Sequence, residues 1–208
     1  SSKKVLVLLP RREYLNGSLF LLNLLVENNL DIIIKLHPSS NVSDFSEYSL
    51  FISYDNIKEI INKYDNIYGT FGIHPHETKN FAKIDYKFIL KSVSLNKKII
   101  GIGETGLDYY YTQETKATQI KSLEIHIEAA RQAKLPLIIH SRSADKDMAD
   151  ILQNEFKNGP YSCVMHCFSS SKELAHTALD LGFYLSMSGI AAFPKSEELR
   201  SIFKSVPI

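Results

Sequence analysis

Three apolar runs in this chain end in side chains that hold cations or move protons. Gly101-Ile102-Gly103-Glu104-Thr105-Gly106-Leu107-Asp108 sets a carboxylate among glycines, directly after an apolar strand pattern. Leu137-Ile138-Ile139-His140-Ser141-Arg142 and Val164-Met165-His166-Cys167-Phe168-Ser169 each run an apolar strand pattern into a histidine. A single histidine so placed is more often a hydrogen-bonded structural residue than a ligand. Glu104, His140 and His166, however, follow one another at intervals of about one βα unit each. In a parallel β/α barrel such strand ends converge on one face. The expectation is a shared metal site formed by Glu104, His140 and His166. A mixed oxygen and nitrogen donor set suits magnesium, manganese or zinc. A carboxylate that bridges two such ions, about 3.5–4 Å apart, clamps the attacking and leaving oxygens of a phosphoryl displacement.

A fourth segment, Phe71-Gly72-Ile73-His74-Pro75-His76-Glu77, follows another apolar run. Pro75 restricts His74 to extended backbone. His74 and His76 either contact a substrate phosphate or hold this loop by hydrogen bonds. Arg142 lies two residues beyond His140, where its guanidinium could fork onto a phosphate; its bland alternative is a surface ion pair. His126 falls in a helical pattern and is read as a buried or interfacial hydrogen-bonding residue. His176 is read as solvated.

The elements that must position these residues alternate. Strand patterns occur at Val5–Leu9, Asp31–Leu36, Ile67–Ile73, Ile99–Gly103, Pro136–Ile139, Cys163–Met165 and Phe183–Met187. Most are continuous apolar runs, as in strands buried on both faces of a parallel sheet. Helical patterns of ten to twenty residues separate them, which implies βα units. The clearest helix spans Glu114 to Lys134, with Ile120, Leu123, Ile127 and Ala130 on one face, and Pro136 prevents its continuation. Ser170-x-x-Glu173 reads as a capping box opening another helix, and Gly182 sits where its C-terminal cap belongs. A third helix is expected at Asn56–Tyr64. Polar, turn-rich residues 39–49 suggest a junction, which divides the chain into an atypical β-α-β segment at 1–54 and a barrel portion at 55–208.

Composition narrows the function classes. The chain has 208 residues, 44% hydrophobic and 23% charged, enough for a large core. A formal net charge of +1 excludes a protein that coats nucleic acid through a broadly basic surface. Any recognition of a polyanion falls to a local site. Cys163 and Cys167 do not match a zinc-ribbon or redox spacing and are read as free thiols of a reducing compartment. The apolar core Val5–Leu9 is short for a signal peptide, and no run is long enough to span a bilayer. The expectation is a cytoplasmic protein without membrane association.

Taken together, GTFGIHPHE at 69–77, IIGIGETGLDYY at 99–110, LPLIIHSRSA at 135–144, VMHCFSSS at 164–171 and GFYLSMSGI at 182–190 resemble the TatD family of metal-dependent deoxyribonucleases. The resemblance covers residues 55–208. It implies a TIM-type (β/α) barrel of the metal-dependent hydrolase kind, here lacking the eighth strand. It implies hydrolysis of DNA phosphodiesters, of the 3′ exonuclease type, with two divalent ions in a complete site and DNA or an oligonucleotide as partner. It carries Glu104 over as the metal-bridging carboxylate, His140 and His166 as ligands, and His74 as a histidine near the substrate phosphate. Gln119 and Ala130 match the family's helix before the fifth strand. Two family segments, a His-x-His after the first strand and a Glu-Thr-Asp-x-Pro after the eighth, find no match. Asp108 and Asp145 are the acids that could replace the missing aspartate. A catalytically impaired relative that serves as a binding or interaction module is the alternative, and an oligomer closing over an incomplete barrel edge is one solution to its exposed strand.

Overall fold

A computed structural model describes residues 4–8, 31–35, 61–62, 65, 67–79, 84–111 and 115–207. The chain forms two compact units, Ser1–Thr70 with Ser92–Ile100, and Phe71–Lys91 with Gly101–Ile208. The boundary expected at residue 54, and most of the helix expected at Asn56–Tyr64, lie outside the described residues.

In the first unit, β1 (Lys4–Leu8) and β2 (Asp31–Lys35) pair in parallel, Val5 beside Ile32 and Val7 beside Ile34. β3 (Ile67–Phe71) continues the parallel set, with Ile32 beside Ile67 and Ile34 beside Gly69. The turn before the next strand is tied down by polar contacts. The Gly69 N–H donates to the Lys98 carbonyl at 2.9 Å, and the Lys98 ammonium donates to the Ile61 carbonyl.

The second unit carries the chemistry-bearing segments. β4 (Ile99–Asp108), β5 (Leu137–Arg142), β6 (Cys163–Met165) and β7 (Tyr184–Leu185) pair in parallel and in sequence order. β4 is twice as long as the apolar run 99–103 predicts. Residues 104–108 stay in the strand because they are buried almost without interruption, and a strand covered on both faces tolerates acids and glycines that no alternation rule would place there. β7, in contrast, is shorter than the run Phe183–Met187.

Helices α1 (Tyr86–Ser94), α2 (Lys116–Ala133), α3 (Asp145–Asn158), α4 (Lys172–Asp180) and α5 (Glu197–Ser205) follow the strands. α2 and α3 pack on β5, and α3 packs in turn on α4. The core joins Ile102, Leu107, Leu137, Ile139 and Met165 of the strands with Leu123 and Ile127 of α2 and Met148 and Leu152 of α3, all fully buried. Each such side chain contributes about 1.5–3 kcal/mol relative to exposure. Lys134, in the left-handed region at φ 54°, closes α2 two residues before Pro136. The expected capping box does not form: the Ser171 hydroxyl, not that of Ser170, accepts from the Leu174 N–H, and a leucine at that position cannot return the reciprocal bond, so the helix opens on a simple N-cap. Gly182, at φ 76°, ends the turn after α4 as anticipated. Neither cysteine is in a disulfide, and burial pushes the Cys163 thiol well up. No helix among the described residues is long and apolar enough to cross a membrane.

Two glycines let backbones approach. A Cβ on Gly106, whose φ is +144°, would run into the backbone of His140, and one on Gly72 would meet the backbone of Gly103. Neither obstacle is a flexible side chain, so relief requires the strands to move apart. Gly106→Ala is expected to lower the unfolding free energy by about 2 kcal/mol or more. Gly189→Ala, at a position with open space around it, should change it by less than about 0.5 kcal/mol. Urea denaturation of the two variants checks the contrast.

Candidate metal centre

The site is built on the register of β4 against β5. Gly103 lies beside Ile138 and Thr105 beside Ile139, so Glu104 is an extra residue with no counterpart on β5. Such a bulge re-aims a side chain without ending the strand. Glu104 therefore sits within β4, not beyond it, and is buried. After the bulge the register places Gly106 beside His140 and Asp108 beside Arg142. Gly106 stands between the two acids and has no side chain. The His140 ring bridges them instead: its Nδ1 lies 3.1 Å from Glu104 Oε1 and its Nε2 lies 3.0 Å from Asp108 Oδ2.

The His74-Pro75-His76 loop completes the cluster. His74 is extended, with φ −63° and ψ 145°, and caps a short 3-10 turn at Pro75–Glu77. Its Nδ1 accepts from the His76 N–H at 3.3 Å, which leaves Nε2 facing Glu104 Oε2 at 3.8 Å. His76 turns the other way and places Nε2 2.9 Å from Asp108 Oδ2. The rings of His74, His76 and His140 meet edge to face, with centroids 4.6 Å apart for the first pair and 4.8 Å apart for His74 and His140.

Asp108 is the hub. Oδ2 receives both imidazoles, and Oδ1 accepts from the Tyr110 and Tyr111 N–H groups at 3.0 Å each. Burial alone would raise its pKa. The hydrogen bonds from His140 and His76 and from the Tyr111 backbone outweigh that and hold the carboxyl far below the usual carboxylate range. With both oxygens engaged in these contacts, Asp108 positions the imidazoles and the turn beyond β4, where the sequence suggested a substitute base. Asp145, the other candidate, accepts from the Ser171 N–H at 2.8 Å at the start of α3, a structural role.

α2 supports the cluster with two buried polar residues seven positions apart, two turns along one face. The Gln119 side chain accepts from the Asp108 N–H at 2.7 Å and donates to the Asp108 carbonyl at 3.2 Å. His126 Nε2 accepts from the Ile73 N–H at 2.9 Å, and its Nδ1 donates to the Ser122 carbonyl at 2.7 Å. These bonds fix the tautomer of His126 and anchor the residue that precedes His74. The sequence placed His126 as a buried hydrogen bonder, but its service to the site needed the fold to be seen.

Ligand atoms of His74, Glu104 and His140 all lie within 4.8 Å of one another. One carboxylate and two imidazoles at that spacing fit a divalent cation of the zinc, manganese or magnesium type. Sequence reasoning put His74 on a substrate phosphate; the structure brings it into the group that can hold the ion. His166 lies outside that group. It is buried just beyond β6, in line with His140 across the β5–β6 pair, and its N–H donates to the Ile139 carbonyl at 2.7 Å. Arg142 is exposed, and its guanidinium lies over the rings of Tyr110 at 4.2 Å and Tyr111 at 4.6 Å. The residue sequence reasoning undervalued is Asp108. The sequence alone did not mark it, because Thr105-Gly106-Leu107 reads as a polar turn until its burial is seen to carry β4 four residues past Glu104.

His126 also gives the site a pH signature in stability. Burial, its main cause, pushes its pKa down to about 4 from the ordinary 6.5, against a smaller upward pull from the Ser122 carbonyl. Between those values the unfolded chain takes up a proton that the folded chain refuses. The stability it supports is present above about pH 6.5 and falls as pH drops toward 4. His126→Gln keeps an acceptor for the Ile73 N–H but does not titrate. Relative to this variant, the wild-type protein should lose on the order of 2 kcal/mol of unfolding free energy between pH 7 and pH 5, read by denaturant titration.

Comparison with known proteins agrees with the geometry. The family profile described as TatD related DNase matches residues 26–208, which reaches well into the stretch where the motifs showed no resemblance. A metal-dependent hydrolase of Buchnera aphidicola is 37% identical over 89% of this chain and 72% of its own length. The metal-dependent hydrolase YcfH of Escherichia coli K12 is 37% identical over 74% of this chain, which spans 57% of that protein. Among solved structures, the TatD homologue YjjV of Escherichia coli K12 superposes with a TM-score of 0.70 at 20% identity, covering 99% of this chain and 75% of that one. This likeness gives the fold, a TIM-type β/α architecture, as the alternating strands and helices imply. With a family match over most of its length and a carboxylate and two histidines gathered at one strand end, the chain belongs to the TatD family of metal-dependent hydrolases.

Proposed function

We propose that this chain hydrolyses phosphodiester bonds of DNA, removing nucleotides from a 3′ end. The observation that carries the reading is the convergence of His74, Glu104 and His140 on one point, with the Arg142 guanidinium, stacked on Tyr110 and Tyr111, near the strand tip that ends in Asp108. His74, Glu104 and His140 would hold a divalent ion, and His166 would add a donor for a second from the neighbouring strand end. Such ions supply Lewis-acid stabilisation of charge on phosphoryl oxygens and make water more acidic.

The chain's own residues do the rest. The Glu104 carboxylate offers negative charge in a buried setting, where a cation is held more strongly than in water. Asp108 keeps the His140 and His76 rings oriented, and His76 in turn closes the loop that presents His74. Arg142 binds a nonbridging phosphate oxygen from outside the ion cluster and draws an anionic substrate to a chain with little net charge. Supporting hydrogen bonds of this kind commonly tune metal affinity or activity by 10–100-fold.

Cleavage of a 3′-labelled single-stranded oligodeoxynucleotide with added Mg²⁺ or Mn²⁺ tests the reading, with a chelator and an all-RNA strand as controls. Metal-dependent loss of 3′ nucleotides is expected, and Glu104→Gln, or His140→Ala with His166→Ala, should slow it by about 100-fold or more. Degradation of the RNA strand alone would move the substrate class. No cleavage of either strand by the folded, metal-supplied protein would favour the alternative, a family member that binds without turnover.

A further inference from the structure

The tip of β4 carries an exposed aromatic pair that the metal cluster does not use. Tyr110 and Tyr111 are 61% and 45% exposed, large values for tyrosines beside a buried cluster. They are not loosely held. Both backbone N–H groups are fixed by Asp108 Oδ1, the same carboxylate whose other oxygen receives His76 and His140. The rings stand edge to face with centroids 4.7 Å apart, and Tyr111 meets the His76 ring at 5.6 Å. The Arg142 guanidinium covers part of both rings. Among the described residues no carboxylate pairs with Arg142, so its charge is balanced by no acid of the protein there.

We propose that Tyr110, backed by Arg142, is the stacking platform for the nucleobase next to the scissile phosphodiester, and so sets which nucleotide ends the enzyme accepts. The proposal rests on the phosphodiesterase reading above and adds the base subsite to it. Its logic is chemical. A rigid, exposed ring offers a flat apolar face that any base can cover, and aromatic stacking is the sequence-tolerant way to hold one. A guanidinium against that ring strengthens the stack through its own planar face and adds the cation that an attached phosphate needs. Continuity with the metal cluster comes from Asp108, which fixes the platform's backbone and the cluster's imidazoles at once. A paired base is already stacked in its duplex and cannot cover the ring without being extruded, so the platform favours unpaired 3′ ends.

Two measurements separate this inference from the reading it rests on. The first compares kcat/KM for a single strand whose 3′-terminal nucleotide carries a base with that for the same strand ending in an abasic site. The wild-type ratio should be about tenfold in favour of the base, collapse toward one in Tyr110→Ala, and persist in Tyr110→Phe. The second, done in chelator so that no turnover is needed, follows quenching of a 3′-terminal 2-aminopurine when the strand binds. Quenching that is present in the wild type and in Tyr110→Phe, and lost in Tyr110→Ala, supports the platform even if no strand is cleaved. That case would defeat the nuclease reading alone. Equal ratios in all three proteins, or quenching that Tyr110→Ala leaves intact or the wild type never shows, would overturn the platform.

Discussion

The geometry of this site depends on one buried carboxylate. Asp108 accepts four hydrogen bonds, two from imidazoles and two from backbone N–H groups. Hydrogen bonds to a charged group contribute about 1.5–3 kcal/mol each, against a desolvation cost of several kcal/mol for the charge. Four such bonds tip that balance toward the ionised form. An ionised, saturated carboxylate at the end of β4 then fixes the turn beyond it and orients the rings of His76 and His140. The loop carrying His74 is held through the same contact.

α2 performs the complementary task from the other side. Gln119 holds both backbone polar groups of Asp108, and His126 holds the N–H of Ile73. Backbone groups that leave a strand ladder inside a core must find partners or cost several kcal/mol. A helix that presents an amide and an imidazole two turns apart meets both needs with one rigid element. Apolar residues at 119 and 126 would suit the core equally well in area. They would leave the Ile73 N–H and the Asp108 backbone unsatisfied, and the two loops that carry histidines and acid would lose their fixed positions.

The sequence makes the parallel α/β order plain, because continuous apolar runs bounded by helical periodicity have few other solutions. β1, β2, β3 and β6 fall within a residue or two of their apolar runs, and β5 runs three residues past its own. β4 departs because its second half reads Glu104-Thr105-Gly106-Leu107-Asp108, which resembles a polar loop until both faces are known to be covered. Glu104, His140 and His74 are legible as ligand-type residues at strand ends or in a proline turn. The pairing of His76 and His140 through Asp108 is not legible, since it depends on a one-residue bulge at Glu104 that shifts everything beyond it. The role of His126 is hidden for a similar reason: a histidine on an apolar helix face reveals its burial but not the distant N–H that it meets.

Two acids four residues apart on one strand thus acquire different work from their surroundings. Glu104 and Asp108 share His140 as a partner, one on each ring nitrogen. Asp108 is further committed to His76 and to two backbone N–H groups, so its charge is neutralised in place and its basicity is suppressed. Glu104 sits at the bulge, where the strand cannot offer the same turn of N–H donors, and it turns its second oxygen toward the His74 imidazole at 3.8 Å. That separation is longer than a hydrogen bond, and it leaves the two groups arranged for something that can bind both. A cation satisfies a carboxylate and two imidazoles together, which a proton shared between any two of them does not. On the proposed reading, the environment, more than the residue type, gives Asp108 an architectural part and leaves Glu104 for an ion.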